Sequence, residues 1–407
     1  TDGTALPDDV VAAGLKQILE VEVDASAGDL DYSNPDAPPL GALTTLDRDS
    51  WAVAREHLMQ HPTNAETLKT IDSALFVLCL EHDQPTTKED VQRCYIHGDA
   101  RNRWFDKSFS IIVLPDGNAT INFEHAWGDG VAVIRFFNEV YQESTGSPAV
   151  DPADITASAA GVKALDWHVD ARAKEYVAQA TERVDAFIDS IDIAVVETDV
   201  IDSNWVKSKK VSPDGFLQMS FQLAHARTHE GRAGATYESA STSAYKHGRT
   251  ETIRSTTSLS QAMCDVFLDP DASRADKEAA LRAAAENHNK ITRDALMGKG
   301  WDRHMFALRT MAEAEARAGG EDVPSLFTCD AYQKLNNIIL STSTLASPGL
   351  EAGGFGPVNK DCYAIPYSLT KEQARFGVMS YKLGTEAFAS AIVDSIQDFK
   401  DVLEGGE

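Results

Sequence analysis

At 407 residues the chain is long for a single core, and two domains are the expectation. A formal charge of −26, from 37 basic against 63 acidic side chains, excludes a general binder of nucleic acid or anionic membrane, whose phosphates would be repelled. The content of 43% hydrophobic and 25% charged residues is that of a soluble globular protein, and no apolar run reaches the length of a membrane span.

Taken in chain order, the first forty residues, ending in DYSNPDAPPLGAL, read as a helix followed by an extended segment. DRDSWAVAREHLMQ carries a helix start signal and helical periodicity. SALFVLCLE is an uncharged, β-rich run suited to a buried strand. In SFSIIVLPDGNATINFEH, two strand-like runs flank Pro115-Asp116-Gly117-Asn118, which predicts a hairpin. VAVIRFFNEVYQ then reads as an amphipathic helix, so His125 falls where a strand ends and the chain turns into a helix. The small polar stretch STGSPAVDPADITASAAG predicts a domain boundary. Residues 1–45 then form a helix and extended segment, 46–160 the rest of the first domain, and 161–407 the second.

The second half opens with a long helix, DWHVDARAKEYVAQATERVDAFI, and a strand, IDIAVVE. A basic knot, WVKSKKVSPDG, and the helix FLQMSFQLAHART follow, and Ala272 to Gly319 reads as mostly helical. The strands NIILSTSTL, CYAIPYSL and RFGVMSYK precede a last helix from Gly384. Strands and helices mixed in both halves predict an α/β or α+β class. The five cysteines are scattered without C-x-x-C or Cys/His spacing, which fits a reducing compartment and predicts no metal.

Four clusters carry chemistry. His125 with Asp129 suits a general base whose tautomer a carboxylate fixes across a turn, with Gly128 and Gly130 allowing the sharp bend. A histidine that merely closes a strand end has the same pattern, while a metal half-site and a dinucleotide loop fit it less well. TYESASTSAYKHGRTETIRS concentrates hydroxyls with Tyr237, Arg249 and Arg254, as a seat for a polar or carboxylate ligand or as a solvated hairpin. Ser341-Thr342-Ser343-Thr344 follows an apolar strand, where hydroxyls either donate to an oxyanion or close a turn. Lys207, Lys209 and Lys210 precede a helix start at Ser212-Pro213-Asp214, an arrangement that suits a phosphate or a solvated basic corner.

Together these segments resemble the choline/carnitine acyltransferase family. The resemblance is carried, in the family's order, by HGDARNRWFDKSF, FEHAWGDGVAVIRFFNEV, SPDGFLQ, ATYESASTSAYKHGRTETIR, GWDRHMFALR and ILSTSTLASPG with GGFGPV. It implies a chloramphenicol-acetyltransferase-like two-domain fold, each domain a mixed sheet flanked by helices, with the family's N-terminal portion missing. It implies direct acyl transfer between acyl-CoA and carnitine as substrates, with no permanently bound cofactor and no metal. His125 matches the family's catalytic base, Asp129 its orienting acid, and Ser343 the donor to the oxyanion. Tyr237, Ser239, Thr250 and a buried Arg303 match positions that hold the carnitine carboxylate. Lys207, Lys209, Lys210, Ser212 and Asp214 fall in the coenzyme A segment. Gly353 and Gly354 lie where small residues leave room for a medium or long acyl chain. The chain departs from the family pattern at GPVNKDCYAIPY, where Cys362 and Ala364 replace glycines.

The resemblance further implies a mitochondrial location on the matrix side, with inner-membrane association open. It also implies a protein partner or a separate segment that completes the first domain. Alternatives are one half of a split two-chain enzyme, or an acyltransferase-derived subunit of a larger mitochondrial assembly.

Overall fold

The computed structural model describes residues 5–25, 38–147, 149–158, 161–344, 347, 349–350 and 353–405. The extended segment expected over 26–37, Leu345 at a strand end, and Pro148, Ala159 and Ala160 of the linker lie outside the described residues. The chain divides into two compact units, one from 1–85 and 97–188, the other from 86–96 and 189–407.

In the first unit, α1 (Asp8–Ala25) precedes a 3-10 turn (Leu40–Thr45), α2 (Arg48–Met59) and α3 (Pro62–Ser73). Asp47 caps α2 by accepting from the Ser50 N–H at 3.0 Å, and Pro62 opens α3 where a missing N–H costs nothing. β1 (Val77–Leu80) follows, and then α4 (Lys88–Ile96), which packs in the second unit. β2 (Phe109–Val113) and β3 (Ala119–Phe123) form the expected hairpin. The Leu114 N–H closes its turn on the Asn118 carbonyl at 2.8 Å, and Gly117 adopts φ +87°. The sheet order is β1-β2-β3, parallel and then antiparallel.

The helices α5 (Gly130–Gly146) and α6 (Ala171–Asp189) complete this unit. The division falls after Ile188 rather than after residue 160 because α6 turns Ala173, Val177 and Ala180 into the core with Leu43, Trp51, Ala54, Leu58 and Leu68. Positions i, i+4 and i+7 form one helical stripe, and each fully buried leucine contributes about 2 kcal/mol. A linker-like composition marked a surface segment, whereas the cut lies where a buried stripe ends.

The second unit is built on β4 (Asp192–Thr198), α7 (Ser203–Ser208), α8 (Pro213–Thr228), β5 (Thr236–Ser241) and β6 (Thr250–Ile253). Next come α9 (Ser258–Leu268), α10 (Arg274–Leu296), α11 (Asp302–Arg317), α12 (Ser325–Thr328) and α13 (Asp330–Asn336). The chain closes with β7 (Leu340–Thr344), β8 (Tyr363–Leu369), β9 (Ala374–Ser380) and α14 (Thr385–Glu404). Sheet order is β4-β9-β8-β7-β5-β6, with parallel pairs only at β8–β7 and β7–β5. Each unit is therefore a mixed sheet flanked by helices, as the sequence led us to expect.

Ser341 to Thr344 lie within the strand β7, inside the expected strand NIILSTSTL rather than in a turn beyond it. β7 pairs with both β5 and β8, so its backbone is satisfied on both sides, and Thr342 finds a side-chain partner in Gln218 at 2.9 Å. The helix α8 is buried from Gly215 to Ala226, with Phe216 and Phe221 packed among Phe376, Phe388 and Phe399.

Candidate active site

His125 stands on the turn between β3 and α5, with its side chain 68% exposed. Its Nδ1 lies 3.6 Å from the Asp129 Oδ1, within ion-pair reach but long for a direct hydrogen bond. Asp129 is the N-cap residue of α5, yet its carboxylate makes no capping bond and faces the imidazole instead. The turn is held by the Trp127 indole, which donates to the Ser108 carbonyl at 2.6 Å, and by Glu124, which accepts from the Ala126 N–H at 2.8 Å. Gly128 and Gly130 do not act as expected. Neither has a positive φ, and a Cβ added to either would meet nothing within 4 Å. The polar anchors, not glycine freedom, shape this turn.

In the second unit, strand register does the assembling. Tyr237 pairs with Ser341, Ser239 with Thr252, Ser241 with Thr250, and Ser343 with Pro366. Alternation of side chains then puts Tyr237, Ser239, Thr250 and Ser343 on one face of the sheet. Arg303, at the start of α11, reaches that face. Its Nη2 donates to the Tyr237 Oη at 2.9 Å and to the Thr250 Oγ1 at 3.2 Å. Arg303 was expected to be buried, but its side chain is 40% exposed. The buried cation beside it is Arg254, which pairs with Asp302. Asp302 also accepts from the Thr252 Oγ1 at 3.1 Å. The Arg303 Nη1 also lies 3.9 Å from the Asp302 Oδ1, so the guanidinium is held by one carboxylate and two hydroxyls while its part-exposed edge suits a second carboxylate.

The opposite face of the same strands is closed and polar. The Tyr367 Oη lies 2.5 Å from the Asp214 Oδ1 and 2.6 Å from the Glu238 Oε1. A phenol has one proton, so one of these contacts needs a carboxyl proton. Burial and the Asp214 charge push Glu238 well above the usual carboxyl range, which makes it the protonated partner. Burial also raises Asp214, but the hydrogen bond and charge of His288, 2.8 Å away, outweigh it and hold Asp214 below its ordinary value. Asp214, expected with the coenzyme A residues, is therefore engaged in this network. The Asp214, Glu238 and His288 donor atoms lie within 4.8 Å of one another. They come from α8, β5 and α10, a grouping that no spacing in the sequence revealed.

At the turn from α7 to α8, Lys207 and Lys210 are exposed and Lys209 is half-buried, its Nζ 5.6 Å from the Trp205 ring centroid. Lys210 takes a left-handed φ of +58°, and Ser212 caps α8 by accepting from the Gly215 N–H at 3.3 Å. The Arg282 Nη1 donates to the Lys209 carbonyl at 2.8 Å and fixes the turn. Cations beside a helix N-terminus make an anion site.

Gly353 borders a cavity of about 250 Å³, and a Cβ added to Gly354 would lie 2.6 Å from the Ile96 Cδ1 and 2.7 Å from the Gln92 Nε2. Both of those neighbours belong to α4, far earlier in the chain, so no local pattern links them to these glycines. In the second unit, then, Tyr237, Ser239, Thr250, Arg303 and Ser343 share a face, while His125 and Asp129 are paired in the first.

Comparison with known proteins fits this arrangement. The family described as Choline/Carnitine o-acyltransferase matches residues 1–403. The chain is 38% identical over 410 residues to mitochondrial carnitine O-palmitoyltransferase 2 of Mus musculus, covering 99% of this chain and 60% of that protein. It is 37% identical over 410 residues to the Homo sapiens enzyme of that name, covering the same 99% and 60%. It is 29% identical over 407 residues to carnitine O-acetyltransferase of Rattus norvegicus, covering 98% and 62%. The chain thus spans about 60% of the length of these curated relatives. With nearly every residue inside the family match, the chain belongs to the choline/carnitine O-acyltransferase family.

Proposed function

We propose that the chain is a carnitine O-acyltransferase, which moves an acyl group reversibly between coenzyme A and carnitine. The observation that carries this reading is the carboxylate seat of Arg303, Tyr237 and Thr250 on the same sheet face as Ser343. A substrate with both a carboxylate and an alcohol, such as carnitine, matches a cation with hydroxyls at one end and an oxyanion donor at the other. Ser239 adds a further hydroxyl on that face.

His125, oriented by Asp129, takes the proton from the carnitine hydroxyl as the oxygen attacks the thioester carbonyl. Ser343 donates to the oxyanion that forms, and the substrate's own trimethylammonium shares that charge. Collapse breaks the carbon–sulfur bond, and the proton on His125 passes to the departing thiolate. In the reverse direction His125 protonates the departing carnitine oxygen. Lys207, Lys209, Lys210 and Ser212 hold the 3′-phosphate end of coenzyme A, with Asp214 at the base of that segment. Gly353 and Gly354 leave space for a medium or long acyl group.

The 38% and 37% identical relatives are named as mitochondrial enzymes, which supports a mitochondrial location here. Among the described residues no helix is long and apolar enough to cross a membrane. Leu75, Trp127, Val131, Phe136, Val140 and Tyr141 are exposed on the first unit. That apolar surface supports a further polypeptide segment packing on it. Light scattering of the purified protein checks for such a partner.

The function is tested by following coenzyme A thiol release from medium- and long-chain acyl-CoA with and without carnitine. Release that depends on carnitine is expected; an intact protein that releases no thiol with any chain length overturns the reading.

A further inference from the structure

On the Ser343 face of the sheet, α4 covers β8, β9 and β4 and encloses the 250 Å³ cavity. Its floor includes Pro366, Gly377 and Val195, and its roof Val91 and Gln92. Pro366 is the register partner of Ser343, so the cavity begins one strand, roughly 5 Å, from the hydroxyl assigned to the oxyanion. At the roughly 30 Å³ that a water-sized group occupies, it holds a chain of about eight such groups.

The lining is not that of a plain alkyl tunnel. Gln92 is 3% exposed, and its amide Nε2 meets no acceptor among the described residues. Two glycines make room for that amide. A Cβ at Gly377 would lie 3.1 Å from the Nε2, and one at Gly354 would lie 2.7 Å from it. A buried donor without an acceptor is destabilising, whereas methionine would fill the same volume with no polar group to satisfy. At the rim, the Lys88 Nζ lies 2.5 Å and the Arg375 Nε 3.4 Å from the carboxylate of Glu197, two cations against one anion. Donor and rim charge both favour an oxygen in the chain that fills the cavity.

We infer that this cavity selects an acyl group bearing an oxygen acceptor, a hydroxyl or a terminal carboxylate, over a plain alkyl chain of the same length. The inference rests on the acyltransferase reading for the reaction, but the selectivity is a property of binding and is measurable without turnover.

The probes are octanoyl-CoA, its terminally hydroxylated analogue and the monothioester of octanedioic acid, tested by equilibrium binding and by transfer to carnitine. Both oxygenated esters are expected to bind about tenfold more tightly than octanoyl-CoA. Gln92→Met, which keeps the side-chain volume, is expected to abolish that ratio for the hydroxylated ester. A gain confined to the carboxylate ester assigns the selectivity to Lys88 and Arg375, and equal gains assign it to Gln92. Octanoyl-CoA binding as tightly as both oxygenated esters overturns the inference, even if all three are transferred to carnitine. Conversely, the tenfold ratio without any transfer upholds the selectivity and overturns the acyltransferase reading. Absence of binding by all three overturns both.

Discussion

The two units position their functional groups by different means. In the first, His125 stands on a turn with the Asp129 carboxylate 3.6 Å from its Nδ1. In the second, the relative places of Tyr237, Ser239, Thr250 and Ser343 are dictated by strand register, and Arg303 is tied to two of them. A residue on a turn can be removed with little structural consequence, while a residue in a register is bound up with the fold. Under the proposed function this divides the labour, with turnover depending on the first unit and substrate grip on the second.

Four changes probe the difference between the two units. The largest expected effect is that of His125→Ala, which lowers carnitine-dependent thiol release about 1,000-fold in steady-state assays. Because the side chain is exposed, Tm should stay unchanged in the same preparation. An unfolded variant would place His125 among the structural residues instead.

Next is acid sensitivity of the second unit. Burial, and then the charge of His229 stacked 4.1 Å away, lowers the His225 pKa to about 4, against a smaller opposing bond to the Arg232 carbonyl. The folded state thus prefers neutral His225. Its contribution is fully present above the ordinary value near 6.5 and is lost as the pH falls from there towards 4. The loss amounts to about 3 kcal/mol, measured as the difference in urea unfolding free energy between neutral and acid pH. A His225→Gln variant should flatten that slope.

Arg303→Ala follows: if the guanidinium holds the carnitine carboxylate as proposed, equally in ground and transition states, the KM for carnitine rises about 30-fold and kcat changes far less. An equal fall in kcat with unchanged KM would move Arg303 from binding to chemistry. The smallest effect is that of Tyr367→Phe, which removes the hydroxyl that donates to Asp214 and accepts from the protonated Glu238, and costs about 1.5 kcal/mol of stability by denaturant titration. Its consequence for carnitine KM should be minor, because Glu238 lies on the opposite face of β5 from Tyr237.

Much of this organisation was legible in the residues. The hairpin punctuated by Pro115 to Asn118 and the helix start at Ser212 are local signals, and local geometry bears them out. The hydroxyl-rich run from Thr236 was recognisable as polar strand, but its two faces were not separable before its partners were known. Tyr237 and Glu238 are adjacent in sequence and opposite in role, one on the open face and the other sealed against Tyr367. The strand NIILSTSTL is legible from its apolar start, but the face on which each of its hydroxyls lies is set only by the parallel neighbours β5 and β8. Gln92 gave no signal at all. Its importance comes from α4 lying across a sheet contributed by residues more than a hundred positions later, beyond the reach of any local pattern.

Equilibrium binding of carnitine to the His125→Ala protein, set beside its turnover, decides whether grip and chemistry lie in different units. The expected result is a carnitine Kd within about twofold of the unaltered protein while thiol release is lost, since uniform binding and chemistry reside in different groups. A Kd weakened in step with the rate, or a rate that survives the substitution, would contradict it.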